Sequence, residues 1–415
     1  MYLQTLELKN FRNFPTAQYD FSPEVNILYG PNASGKTNLL EAIYVLANLR
    51  SFRTHQLRDV IEWDQSQSYL RGSVHTGPKA PQTVHSQEPT VQEEERFVGS
   101  SGKALAVKIE PNARTAMMNG KQCRSSKDYL QVLPCTAFIP DDLELVKGMP
   151  ASRRYFLDKG TFQFYPPYWS LLSDYNKLLR QKNALLRKLK DERRNQLEEK
   201  VPNGNGAATG HPCDIWNEQL QQVGSKVILH RMLFVQNIRK FLKTIYTNWL
   251  ANKECVDLRY RSSIRRTTED FAEFFDLREA ENENVYESLY NAYGQALQKN
   301  LHRELTLGAS VVGPHRDDLE VSLWEKSLRF FGSQGQQRTA VLALKFAEVY
   351  LYFERYGEYP VLLLDDVTSE LDESRTQKLF EYVQHGMQVF ISTTSKPDLP
   401  IDRSFECAYV DLEKN

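Results

Sequence analysis

The chain has 415 residues, 41% of them hydrophobic, and a net charge of −1, which allows two or three domains with a sizeable core. Early charged residues argue against a signal peptide, and no apolar run nears the roughly 18 residues of a membrane-spanning helix, so we expect neither secretion nor membrane insertion. Overall basicity is excluded as a source of affinity for nucleic acid, which has to come from local clusters of the 52 Lys and Arg residues.

The cysteines are odd in number and scattered along the chain. They are Cys123, Cys135, Cys213, Cys255 and Cys407. No pair has the spacing of a zinc site or a redox dithiol. Reduced thiols and a cytoplasmic location are therefore expected.

A glycine-rich segment follows a predicted buried strand near the start of the chain. Residues 2–9 and 25–29 have the apolar patterns of strands, and a helical pattern begins at Asn38. Between them lies Gly30-Pro31-Asn32-Ala33-Ser34-Gly35-Lys36-Thr37. This spacing indicates a P-loop, whose backbone N–H groups cradle phosphates while Lys36 neutralises them and Thr37 ligates magnesium. An ordinary glycine-rich turn before a helix is the alternative.

An acidic strand is predicted more than three hundred residues later. The apolar run 361–364 precedes Asp365 and Asp366, a pattern typical of a buried parallel strand whose carboxyl end binds ligands. Beside a P-loop, Asp365 is expected to hold magnesium and Asp366 to orient or deprotonate the attacking water. The two chain ends are therefore predicted to form one nucleotide-binding head. A purely structural strand end is the alternative.

A third candidate site opens the helical pattern that follows Arg338. It is the segment Gly332-Ser333-Gln334-Gly335-Gln336-Gln337. A small-residue turn at the start of a helix can bind an anion. Taken alone, the same residues also fit a helix cap at Ser333.

The middle of the chain has a helical pattern. Between about 166 and 305, two apolar stripes predict two antiparallel helices joined by a turn-rich segment at 202–208, with a third helical stretch at 267–304. We therefore predict an α/β fold with mixed sheets and helices. A P-loop head comes from 1–160 and 306–415, and 161–305 form an inserted helical arm. Loops at 77–96 and 201–212 receive no function.

Basic clusters are candidates for DNA contact. Their density on the first arm helix can neutralise phosphates without reading sequence. The candidates are Arg180, Lys182, Arg187, Lys188, Arg259 and Arg261, with a further cluster of Arg50, Arg53, His55 and Arg58. Each cluster also fits a solvated surface. For His315 and Arg316, the sequence leaves open an internal hydrogen-bond network or a catalytic role.

These elements resemble a known set of ATPase motifs. Together with residues 369–372, Ser-Glu-Leu-Asp, they are similar to the Walker A, signature, Walker B and D-loop of ABC-type ATPases. Four segments carry a closer resemblance, from end to end, to the RecF recombination-mediator family. They are Asn10-Phe11-Arg12-Asn13-Phe14, Arg153-Arg154-Tyr155-Phe156-Leu157-Asp158, Gly313-Pro314-His315-Arg316-Asp317-Asp318 and Gly332-Ser333-Gln334-Gly335-Gln336-Gln337-Arg338.

The resemblance implies an ABC-type head related to the SMC ATPases that binds ATP and Mg²⁺. It further implies a homodimer that closes around ATP, with Ser333, Gly335 and Gln336 of one subunit touching the γ-phosphate held by Lys36 of the other. The implied role is recognition of single-stranded and gapped DNA and of junctions between single and double strands. With RecO and RecR, such a protein helps to load RecA in recombinational repair, replication recovery and SOS induction.

Two departures from the ABC pattern concern hydrolysis. Asp366 stands where that superfamily usually has Glu, which implies slow hydrolysis, and this substitution is also typical of RecF. The family resemblance implies a weak ATPase that DNA stimulates. The segment after the last predicted strand lacks the switch histidine, so sensing of the γ-phosphate is expected to pass to Thr393 or Thr394.

Two other classes of ATPase have a P-loop and an acidic strand. A transporter ATPase subunit would keep its P-loop and acidic strand closer together. An SMC-like chromosome-organising or end-processing ATPase would need a far longer coiled coil than 166–250 provide.

Overall fold

The structure, a computed structural model, describes residues 1–75, 102–198, 211–249, 255–264, 283–367, 373–394 and 404–412. The chain divides into two compact units. The first comprises Met1–Leu143 with Arg338–Asn415, and the second comprises Glu144–Gln337. The predicted loop at 77–96, the predicted turn at 202–208 and the segment 369–372 lie outside the described residues.

The first unit contains two sheets and the helices that cover them. Its strands are β1 (Tyr2–Phe11), β2 (Phe14–Asp20), β3 (Val25–Tyr29), β4 (Ser68–His75), β5 (Gly102–Glu110), β6 (Ala113–Met118), β7 (Lys121–Gln122), β8 (Cys135–Phe138), β12 (Val361–Leu364), β13 (Val389–Thr393) and β14 (Cys407–Asp411). Its helices are α1 (Lys36–Asn48), α2 (Ser126–Leu130), most of α9 (Gln334–Tyr356) and α10 (Glu373–Glu381), with 3-10 turns at Leu57–Val60 and Pro140–Leu143.

The larger sheet is antiparallel, in the order β2-β1-β4-β5-β6-β7. Its strands alternate between buried and half-buried residues most regularly in β4, as expected for a sheet with one face on a core. Leu3, Leu6 and Leu70 lie in that core together with apolar residues of α1. The sheet therefore packs against the helix that follows the P-loop.

The second sheet is parallel, in the order β14-β3-β13-β12-β8. β12 and β13 are buried along their whole length, because a parallel sheet covered on both faces leaves no residue in water. Since all neighbours are parallel, the carboxyl ends of β3, β12 and β13 meet at one edge. This topology confirms that the two chain ends form one α/β unit.

The second unit combines long helices with a small sheet. Its helices are α3 (Glu144–Lys147), α4 (Pro150–Phe164), α5 (Tyr168–Glu198), α6 (Asp214–Trp249), α7 (Glu283–Leu307) and α8 (Leu328–Phe331), with a 3-10 turn at Pro314–Arg316. Its antiparallel sheet has the order β11 (Lys326–Ser327), β10 (Asp318–Leu323), β9 (Val256–Arg261). The helices α5, α6 and α7 pack on one another. None of the described helices is both long and apolar enough to cross a membrane.

The boundaries of these units differ from the predicted domains. Residues 144–160 and 306–337, assigned to the head by the sequence, group with the helical unit. The physical reason is pairing inside that unit: β10 pairs with β9, and α4 packs against α6 and β10. The division falls inside α9, which begins at Gln334.

Buried arginines attach helices of the second unit to the start of β10 and to the turn before it. Arg153 donates through Nε and Nη2 to the two carboxylate oxygens of Asp318, at 2.6 and 2.8 Å. Arg231 donates to the carbonyl oxygen of Pro314 at 2.7 Å and pairs with Asp158, also at 2.7 Å. These bidentate and charge-assisted contacts have fixed geometry, so they set the orientation of α4 and α6.

His315 is a neutral histidine inside the same unit. Its Nε2 lies 3.2 Å from the carbonyl oxygen of Ser310, which can only accept, so Nε2 carries the proton and Nδ1 accepts from the Tyr175 hydroxyl at 2.6 Å. Burial lowers the pKa of His315 to about 4. Arg316 donates through Nη2 to the same Ser310 oxygen at 3.0 Å. Of the two alternatives for His315 and Arg316, an internal hydrogen-bond network or a catalytic role, these contacts favour the network.

Candidate nucleotide-binding site

The P-loop connects the end of β3 to the start of α1. Its backbone needs left-handed conformations, with φ 69° at Ala33 and φ 102° at Gly35. A Cβ at Gly35 would lie 2.7 Å from Nδ2 of Asn13 and 3.0 Å from Cζ of Phe14. Glycine is therefore required at this position by conformation and by space.

Lys36 is folded back over the loop. Its Nζ donates to the carbonyl oxygens of Gly30 and Pro31 at 2.7 and 2.8 Å. Burial lowers the pKa of Lys36, because desolvation disfavours the ammonium, while the nearby Asp366 and Asp365 carboxylates act in the opposite direction. This cation lies where P-loop lysines meet phosphate, and phosphate oxygens would replace the two carbonyl acceptors.

The predicted magnesium ligands meet at the carboxyl edge of the parallel sheet. The Thr37 hydroxyl donates to Oδ1 of Asp365 at 3.1 Å, across a sequence separation of 328 residues. Burial raises the pKa of Asp365, and hydrogen bonds from Ser392 and Thr37 oppose that shift. One carboxylate and one hydroxyl suit Mg²⁺, which takes few protein ligands and keeps several waters. The described residues contain no cluster of three or more His, Cys, Asp or Glu side chains that could hold a metal.

Ser392 is a site residue that the sequence did not identify. Its hydroxyl donates to Oδ1 of Asp365 at 2.6 Å and accepts from the backbone N–H of Asp366 at 2.8 Å. Asp366 itself has φ 51°, an uncommon value for a residue other than glycine, and strain of this kind clusters at functional sites. The sequence signal that could have identified Ser392 is its position near the end of β13, directly before Thr393, which was already a site candidate.

A polar network ties the segment 10–14 to α1. Arg12 donates through Nε and Nη2 to both carboxylate oxygens of Glu41, at 2.9 and 2.7 Å, and Glu41 is fully buried. Asn38, which follows the P-loop threonine and is a further candidate for nucleotide binding, donates to Oδ1 of Asn13 at 2.8 Å and accepts from Arg53 at 2.6 Å. The sequence missed the role of Glu41, although an acid on the apolar face of a helix was the signal for a buried pair.

The signature segment forms a capping box in the second unit. The backbone N–H of Gln336 donates to Oγ of Ser333 at 3.2 Å, and the backbone N–H of Ser333 donates to Oε1 of Gln336 at 2.8 Å. This reciprocal pair opens α9, as the helix-cap alternative required. The contact of Ser333, Gly335 and Gln336 with a second subunit's phosphate remains a prediction.

Lys182 was wrongly predicted to contact DNA. Its side chain is fully buried, and its Nζ lies 2.6 Å from Oε2 of Glu304, which is also fully buried. The Ser310 hydroxyl donates to the other Glu304 oxygen at 2.7 Å. Lys182 instead joins α5 to α7, because it lies on the inner face of its helix.

The DNA candidates on α5 and β9 differ in their surroundings. Arg180, Arg187 and Lys188 are exposed on α5, although Lys188 lies 3.8 Å from a carboxylate oxygen of Glu192. Arg259 and Arg261 lie on β9 within ion-pair distance of carboxylates, at 3.6 Å from Asp257 and 2.5 Å from Glu320, respectively. These acids offset the charge that the sequence assigned to β9, so the exposed face of α5 is the stronger candidate.

Comparisons with known proteins agree along nearly the whole chain. The RecF/RecN/SMC N terminal domain family matches residues 2–402. DNA replication and repair protein RecF of Bacillus thuringiensis (strain Al Hakam) is 34% identical over 395 residues, which cover 95% of this chain and 92% of that protein. RecF of Bacillus cereus (strain B4264) matches to the same extent.

Solved structures are similar to this chain as well. A structure of the recombination mediator protein RecF with ATP, in the RecFOR pathway, is 29% identical, has a TM-score of 0.77 and covers 98% of this chain and 95% of that chain. An Smc head bound to the C-winged helix domain of ScpA, at 13% identity and a TM-score of 0.50, shares the fold alone. With the P-loop and acidic strand joined at one sheet edge and this similarity from end to end, the chain belongs to the RecF family.

Proposed function

We propose that this protein is an ATP-dependent DNA-binding protein that dimerises on ATP and hydrolyses it slowly. The observation that carries the proposal is the hydrogen bond between Thr37 and Asp365, which brings the P-loop and the acidic strand together at one sheet edge. A hydroxyl and a carboxylate from these two motifs are the magnesium ligands of P-loop ATPases. Membership of the RecF family supports ATP as the nucleotide.

Each site residue has a defined role in this proposal. The loop 30–35 supplies backbone N–H groups to the phosphates, Lys36 neutralises the outer phosphates and Asn38 lies at the start of the helix that follows. When bound, Mg²⁺ would be held by Thr37 and Asp365 and would neutralise charge on the β- and γ-phosphates. Asp366 orients or deprotonates the attacking water.

The ATPase activity is proposed to be weak and stimulated by DNA. An aspartate at position 366 is one methylene shorter than the glutamate usual in ABC ATPases, so its carboxylate reaches a water molecule less well. Slow turnover suits a switch, in which ATP closes two subunits and hydrolysis releases them. In the closed state, Ser333, Gly335 and Gln336 of one subunit would meet the γ-phosphate bound by the other.

The proposed target is single-stranded or gapped DNA and the junction between single and double strands. Exposed cations on α5, including Arg180 and Arg187, supply phosphate contacts that carry no sequence information. RecO and RecR are the proposed protein partners, with RecA loading as the outcome, since the similar ATP-bound structure is assigned to the RecFOR pathway. This activity takes place in the cytoplasm, at the nucleoid.

Turnover measurements with a defined gapped duplex test this proposal. We expect gapped DNA to stimulate ATP hydrolysis, and more salt to weaken DNA binding because counterions are released. Stimulation that is absent with every DNA form would contradict the proposal.

Lys36→Ala should abolish the same activity through loss of nucleotide binding. Each charged hydrogen bond to phosphate is worth roughly 1.5–3 kcal/mol, so nucleotide affinity should fall at least about tenfold. Lys121→Ala, at an exposed lysine of the first unit, is the control and should bind nucleotide like the wild type. Wild-type nucleotide affinity in Lys36→Ala would remove Lys36 from the site.

A further inference from the structure

Trp63 presents its indole ring almost completely to solvent. It is 91% exposed and makes no hydrogen bond, ion pair or ring contact within the described residues. Tryptophan is highly buried on average, and it is enriched among the residues that dominate the energy of protein interfaces. The nucleotide site leaves this exposed ring without a role.

The turn that carries Trp63 is held in place by β1. The backbone N–H of Gln65 donates to the carbonyl oxygen of Glu62 at 3.1 Å, which closes the turn, and the N–H of Glu62 donates to the carbonyl oxygen of Asn10 at 2.9 Å. Asp64 has φ 64°, a left-handed value that aspartate tolerates in turns. The ring therefore stands on a preformed turn, so a partner has little backbone to order on binding.

The chemistry around the ring favours one class of partner. Trp63 lies between two acids, Glu62 and Asp64, and the next residues on the turn are uncharged. Carboxylates at the two positions that flank Trp63 in the chain repel the phosphates of a nucleic acid, whereas they complement Lys and Arg side chains. An apolar pocket edged by cations fits the indole and its two acidic neighbours together.

We propose that residues 62–65 form a docking site for a protein partner that receives Trp63 in an apolar pocket edged by Lys or Arg. The inference rests on the proposed function, which supplies RecO and RecR as the proteins to test. The segment 10–13 connects this turn to the P-loop, because Asn10 accepts from Glu62 while Asn13 contacts Asn38.

Binding of the full-length chain to purified RecO and to purified RecR tests the docking site. We expect Trp63→Ala to weaken binding of one of them at least about tenfold, as for an interface hot spot, and Trp63→Phe to restore part of it. Trp324→Ala is the matched control, since Trp324 is also exposed, at 57%, and should bind like the wild type. The double variant Glu62→Gln, Asp64→Asn should weaken binding several-fold and reduce its dependence on salt.

The outcomes separate this inference from the proposed function. Unchanged binding of both proteins by Trp63→Ala would overturn the docking site and leave the proposed function intact. A wild-type chain that binds neither protein would contradict the partnership itself, and the docking site with it. Lost affinity of Trp63→Ala for single-stranded DNA, with protein binding retained, would overturn the inference in favour of base stacking.

Discussion

At the scale of single residues, Gly35 sets the shape of the phosphate loop. Gly35→Ala must accept both the unfavourable φ of 102° and a contact of 2.7 Å with Asn13. Gly120→Ala is a matched control, because Gly120 also has a positive φ, 73°, but a Cβ added there would meet no atom within 4 Å. The left-handed backbone conformation alone costs an alanine about 1–2 kcal/mol. Both variants should therefore have a lower free energy of unfolding in urea.

Only Gly35→Ala should also lose nucleotide affinity, as measured by titration with a fluorescent ATP analogue. Equal nucleotide binding by the two variants would show that the loop does not depend on this close approach.

His315 makes stability depend on pH. Its folded-state pKa of about 4 lies below the ordinary 6.5, so the neutral ring stabilises the fold above pH 6.5. This contribution is lost as the pH falls from 6.5 towards 4, and it amounts to about 3 kcal/mol at most. His315→Gln should therefore lose less unfolding free energy than the wild type over that interval.

Burial and the nearby Lys226 also lower the pKa of His230 to about 4. The variant His230→Gln therefore measures how much His230 contributes to the pH dependence of the unfolding free energy. If the unfolding free energy of His315→Gln falls as steeply with pH as that of the wild type, His315 is not buried in its neutral form.

At the scale of elements, the ion pair between Lys182 and Glu304 joins α5 to α7. Lys182→Met should lower the unfolding free energy by about 3–5 kcal/mol, because it leaves a buried carboxylate uncompensated. Lys188→Met, on the exposed face of the same helix, should change stability by less than about 0.5 kcal/mol.

Calorimetry checks both stability values, and a DNA titration gives an independent comparison. Weaker DNA binding by Lys182→Met with an unchanged melting temperature would contradict the buried position of Lys182.

Apolar periodicity was sufficient to predict the long helices and strands. It did not predict which side chains pair with one another. The strand at 361–364 and the helix after the P-loop were evident from local pattern, because each buries a continuous apolar face. Lys182 belongs to a helix whose exposed cations share its charge, and only the packing of α7 places Glu304 against it. Charge composition alone does not distinguish a solvated lysine from a paired one.

The candidate site was predictable where its chemistry lies in contiguous sequence. The P-loop is recognisable from the spacing of its residues, and Asp365 from the apolar strand directly before it. Only a few functions share these local patterns. Ser392 joins them through the order of the parallel strands, which places β13 between β3 and β12. A lone serine on a strand carries no such information, so its role depended on the tertiary structure.

At the scale of the whole molecule, the division into units follows pairing rather than sequence composition. The strands β9 and β10 are far apart in the chain, yet they form one sheet inside the second unit. The sequence therefore placed the boundaries at 160 and 306, whereas the compact units divide after Leu143 and before Arg338. The signature segment thus begins in a different unit from the P-loop of the same chain.

The length of the arm helices helps to distinguish this chain from a chromosome-organising ATPase of the SMC type. The longer described arm helix, α6, has 36 residues, which corresponds to about 54 Å. A chromosome-organising ATPase of the SMC type would need a far longer stalk. The described arm helices fall short of such a stalk.

We propose that two copies of the chain close around ATP, and sedimentation velocity with Mg²⁺ and ATP measures this dimerisation. We expect the wild type to shift from monomer to dimer when ATP is added, and Asp366→Asn to accumulate the dimer because hydrolysis is blocked. Ser333→Arg should bind ATP and remain monomeric. A wild-type chain that stays monomeric with saturating ATP and gapped DNA would contradict ATP-dependent dimerisation.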